Sequence, residues 1–273
     1  MIQTSADLFA TARGALAAFN VITIEHAEAI ASAAEEAGSP VVMQLSQNAI
    51  RFHSRPEGIA AAMVAVAAAC TQPVVLHLDH ITEPELARRT VDLGFSSVMF
   101  DGAEHDYDTN VALTRDIASW GRANGIWVEA EIGKIGGKDG AHKPGVRTDP
   151  AEAAQFAADT AVDSLAVAVG SSHAMTEKSA GLDIDLISTI AAAVPIPLVL
   201  HGSSGVPDEG LVAAARAGMR KINIGTALNV AFTGAVRQWL EQNQAVDPRK
   251  YIVQARAAMS QTCAHYLQLL SAP

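Results

Sequence analysis

The feature that most constrains the fold is an eightfold alternation. Short apolar runs rich in Val, Ile and Leu alternate with segments whose apolar residues recur at helical spacing. The runs fall at residues 18–23, 41–45, 74–79, 97–100, 126–132, 164–169, 198–200 and 221–224. The helical segments are expected at 24–37, 57–70, 84–93, 109–124, 150–161, 183–193, 207–217 and 227–240, with further helices at 4–14 and 248–270. Gly38, Gly94, Gly125 and Gly218 stand where helices should stop, and Asp149-Pro150 where one should start. Eight strand–helix pairs in 273 residues, each joined by a right-handed crossover, predict an α/β fold. The specific expectation is a (β/α)8 TIM barrel, one domain over residues 1–273, with extra N-terminal and C-terminal helices. A doubly wound sheet would want a Gly-rich turn directly after the first strand, and AFNVITIEH offers none.

Bulk properties exclude several classes. The net charge is −10 and the basic residues are scattered, which argues against a nucleic-acid surface. Two cysteines far apart, Cys70 and Cys263, make no disulfide framework and fit a reducing compartment. The first residues lack a basic stretch followed by an apolar one, and no run of about 18 apolar residues suggests a membrane span. A cytoplasmic protein is expected.

The run at 74–81, VVLHLDHI, reads as a buried strand, yet His77, Asp79 and His80 crowd its end. Burying such groups is costly without partners, whereas the carboxyl ends of parallel strands open onto ligands. Polar residues recur at the other strand ends: Asn20, Ser46, Asp101, Glu129 and Glu131, His173, His201 and Asn223. A barrel brings all of them to one rim. His80, His173 and His201 then offer three imidazoles from three strands, an arrangement suited to catalytic zinc. His77 is expected only to orient Asp79 by a hydrogen bond. His26, His53, His105, His142 and His265 are expected to be solvated, although His142 lies in the Gly-rich stretch 133–148 and could swing over the site. Gly202-Ser203-Ser204-Gly205 and Asn223-Ile224-Gly225-Thr226 are hydroxyl-rich turns after the last two strands, the usual place for phosphate in such barrels. Gly170-Ser171-Ser172 is a third candidate edge.

These segments resemble the metal-dependent, class II fructose-bisphosphate and tagatose-bisphosphate aldolases. The matching pieces are AFNV at 18–21, HLDH at 77–80, SVMFDG at 97–102, EAEIGKIGG at 129–137, DSLAVAVGSSH at 163–173, PLVLHGSSG at 197–205, KINIGT at 221–226 and DPRKY at 247–251. They occur in family order over nearly the whole chain. The resemblance implies that His80, His173 and His201 ligate Zn2+, with Asp101 and Glu131 near a second metal position. It implies that Asp79 exchanges a proton with the substrate hydroxyl on the carbon whose bond is cleaved. Asn223 would contact the dihydroxyacetone portion, with Asn20 also at the substrate. Gly202, Ser204, Gly225 and Thr226 would hold that portion's phosphate, beside a monovalent cation (Na+ or K+). Ser46 and Arg256 would meet a second phosphate, the arginine reaching across from a neighbouring subunit in some relatives.

The implied activity is reversible aldol cleavage of a phosphorylated ketose. Fructose 1,6-bisphosphate is the first candidate, giving dihydroxyacetone phosphate and glyceraldehyde 3-phosphate, as in glycolysis and carbohydrate metabolism. Zn2+ would stabilise the negative charge of the enediolate, so no Schiff-base lysine is needed from Lys134, Lys138 or Lys221. The chain departs from the family at Ala174, where Gly is usual, and at Lys138-Asp139, where Glu-Asp is usual. Gln47-Asn48 stands where relatives often have an acidic residue and Gly. The alternatives are a tagatose-bisphosphate or other ketose-phosphate aldolase, a non-catalytic partner subunit of an aldolase, and a zinc hydrolase using the same three histidines. A homodimer or homotetramer is expected from the apolar C-terminal helix.

Overall fold

The computed structural model describes residues 1–132, 147–171, 178, 180–244 and 246–271. Eight parallel strands close into a barrel in which each strand pairs with the next and β8 pairs with β1. The strands are β1 (Leu16–Asn20), β2 (Val41–Ser46), β3 (Val74–Ile81), β4 (Ser97–Phe100), β5 (Trp127–Glu131), β6 (Ser164–Ala166), β7 (Leu198–Leu200) and β8 (Met219–Ile224). The helices are α1 (Ser5–Thr11), α2 (Ile24–Ala37), α3 (Gln47–Phe52), α4 (Pro56–Ala69), α5 (Pro84–Arg88), α6 (Tyr107–Asn124), α7 (Pro150–Thr160), α8 (Ile184–Ala193), α9 (Asp208–Ala217), α10 (Thr226–Gln242) and α11 (Arg249–Ser271). The eightfold reading therefore holds. α3 lies outside it, because this short helix starts directly on β2, with Ser46 as its cap. β1 sits earlier than expected, and α5 stops five residues before the anticipated end.

The helix ends follow the local chemistry. Gly38 and Gly125 take left-handed φ of 60° and 69° at the ends of α2 and α6, where any Cβ would be strained. The Asp149 carboxylate accepts from the amides of Ala151 and Glu152 at the start of α7, with Pro150 inside the first turn.

Two shells of packing follow from strand alternation. Outward residues such as Met43, Leu45, Leu76 and Leu78 are fully buried in the main apolar core, which also includes residues of α2, α4 and α11. Inside, Leu16, Ala18, Val42 and Val75 form a small cluster sealed at the amino-terminal end by Leu8 of α1. Met99, Ala166 and Val199 form a second interior cluster. Other interior positions are polar: Gln44, His77, Ser97, Glu129, Ser164 and Lys221, all buried. The register places Gln44 beside His77, His77 beside Ser97, and Glu129 beside Ser164. Of this polar set, Gln44 reaches the carboxyl-terminal mouth.

Candidate active site

A cavity of about 240 Å3 opens at that mouth. Asn20, Ser46, Asp79, His80, Gly202, Ser204, Asn223, Gly225 and Thr226, each singled out above, all line it. They come from β1, β2, β3, the turn after β7, and β8 with the start of α10, so closure of the barrel alone gathers them. Ile22, Gln44, Ser203 and Asn229 complete the lining. Gln44 carries a readable signal in the sequence, a lone polar residue in the otherwise apolar run VVMQL.

Asp79 and His80 are consecutive and would ordinarily face opposite sides of a strand. Here both reach the mouth. His80 has φ of 51°, left-handed and uncommon for a non-glycine residue, and the pairing of β3 with β4 slips between Leu78 and Ile81. This irregularity re-aims the imidazole, as bulges beside active sites commonly do.

His80 is held from two sides. Its Nδ1 lies 2.8 Å from Asp101 Oδ2, and its Nε2 lies 2.9 Å from Nδ1 of His201. The buried His201 places its other nitrogen, Nε2, 3.1 Å from Glu129 Oε1 and 3.0 Å from the Asn223 amide nitrogen. Burial opposes charge on His80, but Asp79, the hydrogen bond to Asp101, and Glu131 outweigh it and push the imidazole up to about 10. The surroundings therefore favour positive charge at this point.

The same atoms suit a metal ion. Ligand atoms of Asp79, His80 and His201 lie within 4.8 Å of one another, as do those of His80, Asp101 and Glu131. Neutral imidazoles and carboxylates in this combination match borderline and hard divalent cations, zinc among them. The third expected ligand, His173, lies outside the described residues, as do Ser172, Ala174, Lys134, Lys138, Asp139 and His142.

Asp79 is buried and polarised from one side only. Its Oδ2 accepts from Asn20 Nδ2 at 2.9 Å, and Asn20 Oδ1 accepts from Gln44 Nε2 at 3.2 Å. Its Oδ1 has no hydrogen-bond partner among the described residues. One oxygen is thus anchored while the other has unused acceptor capacity.

Beside these groups, the turn after β7 and the start of α10 suit an anion. Gly202 takes a left-handed φ of 66° and starts a short 3-10 turn, Ser203–Gly205. Ser203 Oγ donates to the Asn223 carbonyl, tying that turn to β8. The 17-residue α10 begins at Thr226 with no acidic side chain in its first turn, and Ser204 Oγ accepts from the Ala227 amide at 3.2 Å. A helix N-terminus beside a glycine- and hydroxyl-rich turn is a phosphate-binding arrangement.

Several expectations are corrected. His77 does not bond Asp79: its Nδ1 meets Ser97 Oγ at 2.7 Å, and burial holds the imidazole well below its usual pKa. His26 is not solvated. It is buried on α2, receives the Thr23 amide on Nδ1, stacks on Phe232 of α10, and is pushed down to about 4 by burial. His53 is half-buried, with Nε2 2.6 Å from the Ile22 carbonyl. Within one chain Arg256 lies on α11, outside the cavity lining, and pairs with Glu28 of α2 at 2.5 Å, so its expected contact with a second phosphate would have to come across a subunit boundary. Ser171 donates to the His201 carbonyl at 2.6 Å and so braces the strand end rather than the cavity.

Comparison with known proteins places the chain. The family model described as fructose-bisphosphate aldolase class-II matches residues 4–272. The chain belongs to the class II fructose-bisphosphate aldolase family, and it is an aldolase, a lyase. This aldolase is 37% identical over 252 aligned positions to 6-phospho-5-dehydro-2-deoxy-D-gluconate aldolase of Bacillus velezensis, covering 91% of this chain and 87% of that one. It is also 37% identical over 295 aligned positions to fructose-bisphosphate aldolase of Stutzerimonas stutzeri, covering 90% and 83%. Among solved structures, the YdjI aldolase from Escherichia coli K12 superposes with a TM-score of 0.88 at 30% identity, covering 100% of this chain and 98% of that one. The family is generally metal dependent, which agrees with the ligand groups at the mouth. No helix among the described residues is long and apolar enough to cross a membrane.

Proposed function

We propose that this aldolase cleaves a ketose carrying a single phosphate, releasing dihydroxyacetone phosphate and an aldehyde that bears no phosphate. The carrying observation is the cavity's one-sided chemistry. One end has the Gly202–Ser204 turn and the N-terminus of α10, while no lysine or arginine is among the described residues lining the rest.

The alignments support the same choice. The B. velezensis alignment covers 91% of the chain in 252 positions, almost without insertions. The S. stutzeri alignment needs 295 positions to cover 90% of 273 residues, so that relative carries insertions of several tens of residues that this chain lacks. Fructose 1,6-bisphosphate is the second reading, favoured by Ser46 at the cavity wall and by the name of the S. stutzeri relative.

In this reading His80 and His201, with His173, hold Zn2+, and Asp101 and Glu131 offer a second position. The ion's contribution would be Lewis-acid stabilisation of negative charge on the substrate's ketone-derived oxygen. The protein residues do the remaining work. Asp79, steadied by Asn20, takes the hydroxyl proton on its unused Oδ1. Asn223 fixes the dihydroxyacetone oxygens. Gly202, Ser204, Gly225 and Thr226 bind the phosphate, with Na+ or K+ beside it. The assembly is a homodimer or homotetramer, and two buried free thiols, Cys70 and Cys263, suit a reducing cytoplasm.

The test is a substrate panel on zinc-replete protein, read by coupled detection of triose phosphate. The panel contains 6-phospho-5-dehydro-2-deoxy-D-gluconate, fructose 1-phosphate, fructose 1,6-bisphosphate and tagatose 1,6-bisphosphate. A monophosphate is expected to give the highest kcat/KM. A bisphosphate preferred by about tenfold or more would reverse the assignment.

A further inference from the structure

The barrel interior holds a charge pair that the reaction does not use directly. Lys221 of β8 and Glu129 of β5 are both buried, with Lys221 Nζ 2.9 Å from Glu129 Oε2. Enclosing two charges is costly, and apolar residues of similar volume often serve stability as well or better. Their position suggests another purpose. The second carboxylate oxygen, Oε1, lies 3.1 Å from Nε2 of His201, directly below the mouth.

We propose that Glu129, charge-balanced by Lys221, is a positioning residue that fixes the tautomer and ring orientation of His201. The carboxylate can only accept, so the proton on His201 resides on Nε2, and the Asn223 side-chain amide 3.0 Å away, whose oxygen is otherwise unpartnered among the described residues, turns that oxygen rather than its nitrogen toward the same proton. Nδ1 is then left bare and faces His80. On the other side, Asp101 accepts the Nδ1 proton of His80, so that Nε2 of His80 faces His201. Two carboxylates on the outside thus turn two imidazole nitrogens, 2.9 Å apart, toward one point. To a metal ion that point would offer two lone pairs. Lys221 is accordingly no nucleophile: its ammonium is directed at Glu129, and it does not line the cavity. Outer carboxylates on ligating histidines typically change metal affinity by about 10- to 100-fold when removed.

This inference rests on the metal-dependent reading of the site, so the experiment separates the two. Wild type, Glu129→Gln and the charge-neutral double variant Glu129→Gln/Lys221→Met are stripped of metal. Each is titrated with Zn2+ against a chromophoric chelator, and metal-free melting curves verify folding. Both variants should bind zinc about 10- to 100-fold more weakly than wild type. Nitrogen-15 shifts of labelled histidine in metal-free wild type should show His201 protonated at Nε2. If wild type takes up no zinc, the reading of the site and this inference fall together. If wild type binds zinc and both folded variants match it within twofold, the inference alone falls. A His201 protonated at Nδ1 overturns it whether or not the variants fold.

Discussion

Gly225 is the position where a single methyl group should reach the chemistry. Its φ of −121° makes no demand for glycine, so the requirement is space. A Cβ built there lies 2.9 Å from Asn20 Oδ1 and 3.4 Å from Asn20 Cγ, and real Cβ contacts essentially never fall under 3.0 Å. Gly225→Ala must therefore push Asn20 aside. Asn20 cannot move freely, because Oδ1 accepts from Gln44 and Nδ2 donates to Asp79 at 2.9 Å. The bond to Asp79 has an ionised acceptor, and such bonds contribute about 1.5–3 kcal/mol. Losing it in the transition state lowers kcat/KM by about 10- to 150-fold. Crowding itself costs about 1–3 kcal/mol of stability. Steady-state cleavage kinetics on the best ketose phosphate, with a melting curve, measure both. Asn20→Ala makes room for the new methyl, so adding Gly225→Ala to it should cost little further activity. Full additivity of the two changes, or a Gly225→Ala enzyme within twofold of the parent, would refute the coupling through Asn20.

Other expectations concern the same site and one buried histidine. Asp79→Asn keeps an acceptor for Asn20 but removes the base, so kcat should fall by about 10^2 to 10^4 with the melting temperature little changed; retained turnover would remove Asp79 from proton transfer. Chelation should abolish cleavage and zinc should restore it, while zinc at 100 times its Kd adds about 2.7 kcal/mol of stability in calorimetry; activity persisting in metal-stripped protein would contradict the site. His26, held at about 4, leaves stability unchanged above pH ~6.5, where folded and unfolded forms are both neutral. As pH falls from about 6.5 to about 4 the unfolded chain gains a proton that the folded chain refuses, costing up to about 3 kcal/mol. His26→Gln preserves the Thr23 capping arrangement and should flatten that acid slope in pH-dependent melting; parallel curves for the two proteins would count against it.

The barrel was legible because a parallel sheet buried on both sides leaves an unambiguous trace. Its strands read as apolar runs, helices separate them, and Gly38, Gly125 and Asp149 punctuate them by local rules that tertiary packing did not override. α3 was illegible for the converse reason: six residues with no apolar period, entered directly from a strand. Orientation was the harder quantity for the histidines. His26 sits at a helix start, a place that usually faces solvent, yet α10 packs over it through Phe232. Arg256 is part of a recognisable segment, but a segment says nothing about whether its guanidinium meets a phosphate or Glu28.

HLDH shows why the site was readable in membership but not in geometry. Period-two alternation would send Asp79 inward and His80 outward, into the helix layer. A barrel interior has room for one residue per strand per layer, so two adjacent functional groups cannot both reach the mouth from a regular strand. The left-handed turn at His80 resolves the conflict, placing His80 Nε2 against His201 while Asp79 stays on the interior face beside Asn20. Such backbone costs of order 1–3 kcal/mol, which its surroundings must offset. Asp101, whose carboxylate accepts a hydrogen bond from His80 Nδ1, and Ile81, whose carbonyl accepts the Asp101 amide at 2.8 Å, close the local loop that holds it there. The strain and its restraint are thus built from the same few residues, and a change at Asp101 should release the imidazole from the mouth before it loosens the barrel.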